Sequence, residues 1–228
     1  GADEEQVAGI RSQVESAGAS ISSTVTVAPT WSDPDSEPAL NALAAELVVS
    51  GTTLPLGGDG YDRGAAVLAG ALLRPDDEAS ADRDADQITA VETGYGEAGL
   101  ATIEIAEGED DPQATLAVVV AGPPPEDDVE RRTGTLTSLV RALDEAAAGS
   151  VVGGPPAAAE EGGLITAVRE DQDLAAAVST VDSVDLSSGR VAVVFAAVQQ
   201  EQGESGQYGR VGTTDGALPV VDEQADNS

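Results

Sequence analysis

The sequence predicts an α/β protein with a mainly parallel open sheet and helices on both faces, Rossmann- or flavodoxin-like, built as one large domain or as two lobes. Three observations carry this. From residue 115 onward, apolar strand patterns alternate with helical ones in the order that parallel strand-helix-strand crossovers require. The stretch 115–121 is continuously apolar from Leu116 to Ala121, as a strand covered on both faces would be. Gly and Pro cluster at 122–125 and 153–156, where such strands would hand over to loops.

Each element follows from local chemistry. Asp3, with Gln6 three residues later, reads as an N-cap with its reciprocal partner, and Val7, Ile10 and Val14 then recur at helical spacing, which predicts a helix over 3–17. Ile21, Ser23, Val25 and Val27 alternate up to Pro29 and predict a strand over 20–27. Asp33-Pro34 and Glu37-Pro38 open a helix that carries Leu40, Leu43, Leu47 and Val48. The Gly-rich stretch 50–60 is a loop, and 61–73 is a helix with Val67, Leu68 and Leu72 on its apolar side. An acidic, mobile loop is expected over 75–86, a helix over 85–98 and a short strand from Leu100 to Ile105, with the acidic segment 108–112 closing this half.

In the second half a strand over 115–121 precedes a helix marked by Leu136, Leu139, Val140 and Leu143 that ends near Ala148. A strand over 150–153, a helix over 160–170, a strand over 176–181 and a helix over 187–202 follow. The expected division is an N-terminal α/β lobe over 1–112, a C-terminal α/β lobe over 113–212 and a flexible tail over 213–228. Gly1-Ala2 directly before a helix start reads as a fragment of a longer chain, with the first strand of its lobe truncated. A strand restored there is expected beside 20–27.

Composition excludes several functions. With 42 acidic and 10 basic residues the formal charge is −32, a potential that repels phosphate backbones, so no nucleic-acid partner is expected. Cysteine, histidine and methionine are all absent, which removes the thiolate nucleophile, the commonest general base and the thiolate, imidazole and thioether metal ligands together. No apolar run reaches the roughly 20 residues of a membrane helix, so the chain as it stands is not expected to enter a membrane.

Ligands in open parallel sheets sit beyond the carboxyl ends of the strands. The candidate crevice is therefore lined by Trp31, Asp33, Gly122, Gly153, Ser179, Thr180 and Asp182. The plainer reading of the same residues is that Gly ends strands and Asp caps helices in any such fold. Gly57-Gly58-Asp59-Gly60 lacks the Lys and the strand-to-helix setting of a phosphate loop, and Gly153-Gly154-Pro155-Pro156 has prolines where donors would be needed. The carboxylate runs at 76–78, 109–111 and 126–128 match no calcium-loop spacing and read as solvated surface. No catalytic residues, metal site or cofactor are expected, and the chain reads as a non-enzyme.

Several segments carry a family resemblance. They are Val25-Thr26-Val27 leading to Thr30-Trp31-Ser32-Asp33-Pro34, then Tyr61-Asp62-Arg63-Gly64, then Leu116 through Gly122. Val178-Ser179-Thr180-Val181-Asp182, Gly189-Arg190-Val191-Ala192 and Gln207-Tyr208-Gly209 complete them. In this order and spacing the chain resembles the actinobacterial copper transport protein family. The resemblance implies a cell-envelope protein, exported and anchored by an N-terminal membrane helix outside this sequence, with a role in copper homeostasis or efflux that is described as pore-associated. It implies an envelope or membrane partner protein, while a homo-oligomer, or else a gap, is expected from the edge that the truncated first strand leaves beside 20–27. The residues themselves offer no copper ligand and too few aromatics for the girdles of a membrane barrel, so this part is expected to act as a scaffold or binding module. The alternative is a copper-independent envelope interaction module that binds a small ligand in the crevice.

Overall fold

A computed structural model describes residues 2–48, 52–75, 85–106 and 113–220. The expected mobile loop over 75–86 and the acidic segment 108–112 fall largely or wholly outside the described residues, as does the tail beyond residue 220.

Helix α1 (Glu4–Ser16) starts as its sequence predicts. Asp3 Oδ1 accepts from the backbone N–H of Glu5 at 2.9 Å and of Gln6 at 3.3 Å, satisfying two amides that have no partner inside the helix. The reciprocal arm does not form, and Gln6 Oε1 is buried without a hydrogen bond. The chain divides into two compact units that interleave along the sequence. One contains Ala19–Ala117 and Pro125–Ala148, and the other Ala2–Gly18, Val118–Pro124 and Gly149–Ser228.

In the first unit β1 (Ser23–Val27) pairs antiparallel with β2 (Ala101–Ile105), Val25 lying opposite Ile103. The expected mainly parallel sheet does not extend to these two strands, which form an antiparallel pair of their own. Pro29 turns the chain directly into a short 3-10 segment, and β1 finds its partner in the strand that follows α4 (Ala85–Glu97). Helix α2 (Glu37–Glu46) and helix α3 (Gly60–Leu72) pack against each other, and α5 (Val129–Ala146) packs on α3. Helix α3 is buried over most of its length, because small residues let its neighbours approach: a Cβ added to Gly64 would lie 2.7 Å from Leu40 Cδ2. Trp31, Leu40, Leu68, Tyr95 and Leu100 form the centre of this core, with the Trp31 and Tyr95 rings stacked at 6.1 Å between centroids. The Tyr95 hydroxyl donates to the Gly64 carbonyl at 2.6 Å, so its one polar atom is satisfied inside the core.

The four-stranded sheet has the order β3 (Leu116–Val120), β4 (Gly149–Gly153), β5 (Ser179–Val181), β6 (Gln207–Tyr208). Pairing is parallel from β4 to β5, with Val152 opposite Thr180, and from β5 to β6, with Val181 opposite Tyr208. Val181 belongs to the apolar cluster that Val193 and Ala196 of α8 (Ser187–Glu201) build, while Thr180, on the opposite face, is bonded from Arg169 of α6 (Leu164–Glu170). Helices therefore cover both faces, as the alternating pattern requires. Helix α1 joins the α8 face through Ile10, which packs in the same cluster.

Three readings are corrected. The strand expected over 176–181 is a strand only over Ser179–Val181, because Asp171 Oδ1 caps Asp173 N and Leu174 N at 3.1 Å each and drives α7 (Gln172–Ala177). The helix expected from 160 begins at Leu164, after a 3-10 turn at Pro156–Ala159. Strand β3 is not covered on both faces. It is the end strand of the four among the described residues, with Leu73 bridged in parallel to Ala114 just before it and Val118 exposed.

Candidate functional site

The carboxyl end of β5 is where the four-stranded sheet concentrates its polar side chains. Ser179, Thr180 and Asp182 are fully buried there, beside Gly153 at the end of β4. Burial of an ionised carboxylate is costly unless every lone pair finds a donor. Three donors converge on Asp182. Its Oδ1 accepts from Arg210 N at 2.7 Å, and its Oδ2 from Arg169 Nη1 at 3.0 Å and Val211 N at 3.1 Å.

Arg169, in the last turn of α6, makes three further hydrogen bonds inside the fold. Its Nε donates to Thr180 Oγ1 at 2.8 Å, Nη1 also to Val211 O at 2.9 Å, and Nη2 to Tyr208 O at 2.9 Å. Thr180 Oγ1 in turn donates a hydrogen bond to Gln207 Oε1 at 2.6 Å, and Gln207 Nε2 donates to the carbonyls of Ala175 and Val178. Ser179 Oγ accepts from Gln200 Nε2 at 2.9 Å and Gly206 N at 3.3 Å. The network ties the loop over 209–211 and strand β6 to the sheet with donors and acceptors matched internally. Chemically it is a clamp, with Asp182 accepting three hydrogen bonds and Arg169 donating four inside the fold.

The approach of that loop demands glycine. Gly209 has φ 133°, and a Cβ there would fall 2.1 Å from Asp182 Oδ1. Gly153 and Gly154 are also packing positions: a Cβ on Gly153 would meet Val184 and Val193 at 3.1 Å, and one on Gly154 would meet Ala158 Cβ at 2.7 Å. Gly122 lies in the partly exposed loop after β3.

Of the residues predicted to line one crevice, Gly153, Ser179, Thr180 and Asp182 are brought together. Trp31 and Asp33 lie in the other unit. Trp31 is wholly buried in its core. The Asp33 side chain pairs with Arg132 Nη2 at 3.3 Å, and its backbone carbonyl accepts from the Tyr61 hydroxyl at 2.7 Å. Sequence reasoning missed Arg169, the centre of the clamp. The available signal was its isolation as the lone basic residue between Arg141 and Arg190 in a chain of 42 acids.

The other sequence candidates are also engaged locally. Gly57-Gly58-Asp59-Gly60 runs into α3 with no strand directly before it, and the Asp59 carboxylate takes the N–H groups of Tyr61 and Asp62 at 2.9 and 3.1 Å. In the run 126–128, Asp128 pairs with Arg131 at 2.8 Å; the runs 76–78 and 109–111 lie outside the described residues. Among the described residues no group of three or more His, Cys, Asp or Glu side chains is placed to hold a metal ion. No described helix is long and apolar enough to cross a membrane. Two shallow grooves lie in the first unit. One, of about 340 Å³, is lined by Glu37, Asn41, Asp59 and Arg63, and the other, of about 510 Å³, by Leu43, Leu47, Thr93 and Glu97.

A search of curated proteins found no match. The family model described as copper transport outer membrane protein, MctB, matches residues 1–219 of the 228, and with nearly the whole sequence covered the chain belongs to that family.

Proposed function

We propose that this chain is the extracytoplasmic, non-catalytic α/β portion of a copper-transport envelope protein, and that it serves as a scaffold which neither coordinates copper nor lines a pore. The family supplies the connection to copper transport and to the envelope. The observation that carries the scaffold role is the clamp at Asp182, whose buried charge is paired with Arg169 and held by two backbone amides. Ligand chemistry agrees with it: copper(I) selects thiolate and thioether and copper(II) favours imidazole, and the sequence contains none of these.

Isothermal titration of the chain with copper(I), copper(II), Ca²⁺ and Zn²⁺ at physiological ionic strength tests this. The expected outcome is at most weak, unselective binding of divalent cations, suppressed further by added salt. Submicromolar binding of either copper ion with defined stoichiometry overturns the scaffold reading.

A further inference from the structure

The larger groove of the first unit, of about 510 Å³, lies between α2 and α4. From the α2 side it is lined by Leu43 and Leu47, both packed from below on the core. From the α4 side Ala90, Thr93 and Gly94 line it, all small. A Cβ on Gly94 would lie 2.7 Å from Leu47 Cδ1 and 3.2 Å from Leu43 Cδ2, so glycine is what lets the two leucines rest against the α4 backbone. The result is an apolar floor. The rim is acidic: Glu46 on α2 and Asp86 and Glu97 on α4 complete the lining, and no Arg is among its described residues. Glu46, Ala90, Thr93 and Glu97 are all exposed. Residues 86, 90, 93, 94 and 97 share one face of α4 over about three turns, which gives the groove a length of roughly 16 Å.

We propose that this groove docks a cationic amphipathic helix of a partner protein. The helix lays its apolar face on Leu43, Leu47, Ala90 and Gly94 and brings Lys or Arg to Glu46, Asp86 and Glu97. This goes beyond the scaffold reading and does not depend on it. Charge selects the occupant. A second copy brings a further −32 to a rim that is already acidic, and an anionic membrane surface is repelled in the same way. A helix with basic flanks is attracted throughout its approach and neutralises the rim on arrival. Shape selects a helix. A trough between two helices, three turns long with an apolar floor, receives apolar anchors spaced i, i+3 or i+4, and i+7. The small side chains of α4 leave the space that larger anchors on the partner need.

The test uses the full chain and three labelled peptides of about 18 residues, long enough to cover the groove as helices. The first is built of Leu and Lys with its leucines on one helical face, the second has the same residues reordered so that no face is apolar, and the third carries Glu in place of Lys. Fluorescence anisotropy at about 0.15 M salt reads the binding. The first peptide should bind at least about tenfold more tightly than the second, and the third should not bind. Ala90→Arg, which puts a cation at an exposed groove position, should weaken the first peptide at least about tenfold. Thr213→Arg makes the same charge change at an exposed position of the other unit and should leave binding within about twofold. Circular dichroism melting reports whether both variants fold. Because the sequence has no cysteine, position can be read directly. Thr93→Cys should form a mixed disulfide with a first peptide bearing one cysteine on its apolar face, and faster than Thr213→Cys does. No binding of the first peptide, the result if another part of the chain fills the groove, overturns the proposal. Equal binding of the reordered peptide overturns it too, since bulk charge then accounts for the attraction, as does equal weakening by Ala90→Arg and Thr213→Arg. If Ala90→Arg fails to fold, the cysteine variants decide: equal rates overturn the proposal and a faster Thr93→Cys upholds it.

Discussion

Arg169 and Asp182 are joined through Nη1 and Oδ2 at 3.0 Å, with the carboxylate wholly buried and the guanidinium side chain only 13% exposed. A surface ion pair contributes little because water and salt screen it, but this one is shielded, and its removal strands a charge. Arg169→Ala is expected to cost about 3–5 kcal/mol in urea unfolding, the range for breaking a buried pair from one side. Replacing both partners with apolar residues should cost less than Arg169→Ala, since no charge is then left unpaired. A single variant whose unfolding midpoint matches the wild type would show that the clamp adds no stability.

Gly209 is expected to be intolerant of any side chain. Its φ of 133° is unfavourable for other residues, and the space a Cβ would need is held by the Asp182 carboxylate. Gly209→Ala should lose about 2 kcal/mol or more, whereas Gly212→Ala, whose φ of 73° is strained but whose Cβ would meet nothing, should lose less. Equal losses at the two positions would attribute the effect to backbone strain and not to contact with Asp182.

All three tyrosines are pushed to ionise later than usual, chiefly by burial, and Tyr95 most strongly. A buried phenol is favoured in its neutral form, so the stability this contributes is fully present below the unfolded value of about 10 and is lost as pH rises through the higher folded values. Phenolate absorbance of the folded chain should therefore lag that of the urea-unfolded chain, and unfolding should become easier as pH rises above about 10. Tyr95→Phe should remove the latest step. Superimposable folded and unfolded titrations would contradict the burial of these rings.

The sequence by itself determined the helices and the alternation behind the mixed architecture. Caps such as Asp3 and Asp59 and the spacing of Val67, Leu68 and Leu72 act within one or two turns, so their consequences are legible locally. It also leaves this sequence without thiolate, thioether or imidazole ligands, since a residue type that is absent cannot be supplied by folding. Pairing was left to the tertiary structure, because it depends on residues far apart in the chain: β1 meets β2 across more than seventy residues, and β3, as apolar as a central strand, is the end strand of the four among the described residues. The candidate site divides in the same way. Thr180 and Asp182 stood out because they follow a strand, but only the fold brings Arg169 from α6 and the amides of Arg210 and Val211 onto them, and it is those donors that turn a possible ligand site into an internal clamp.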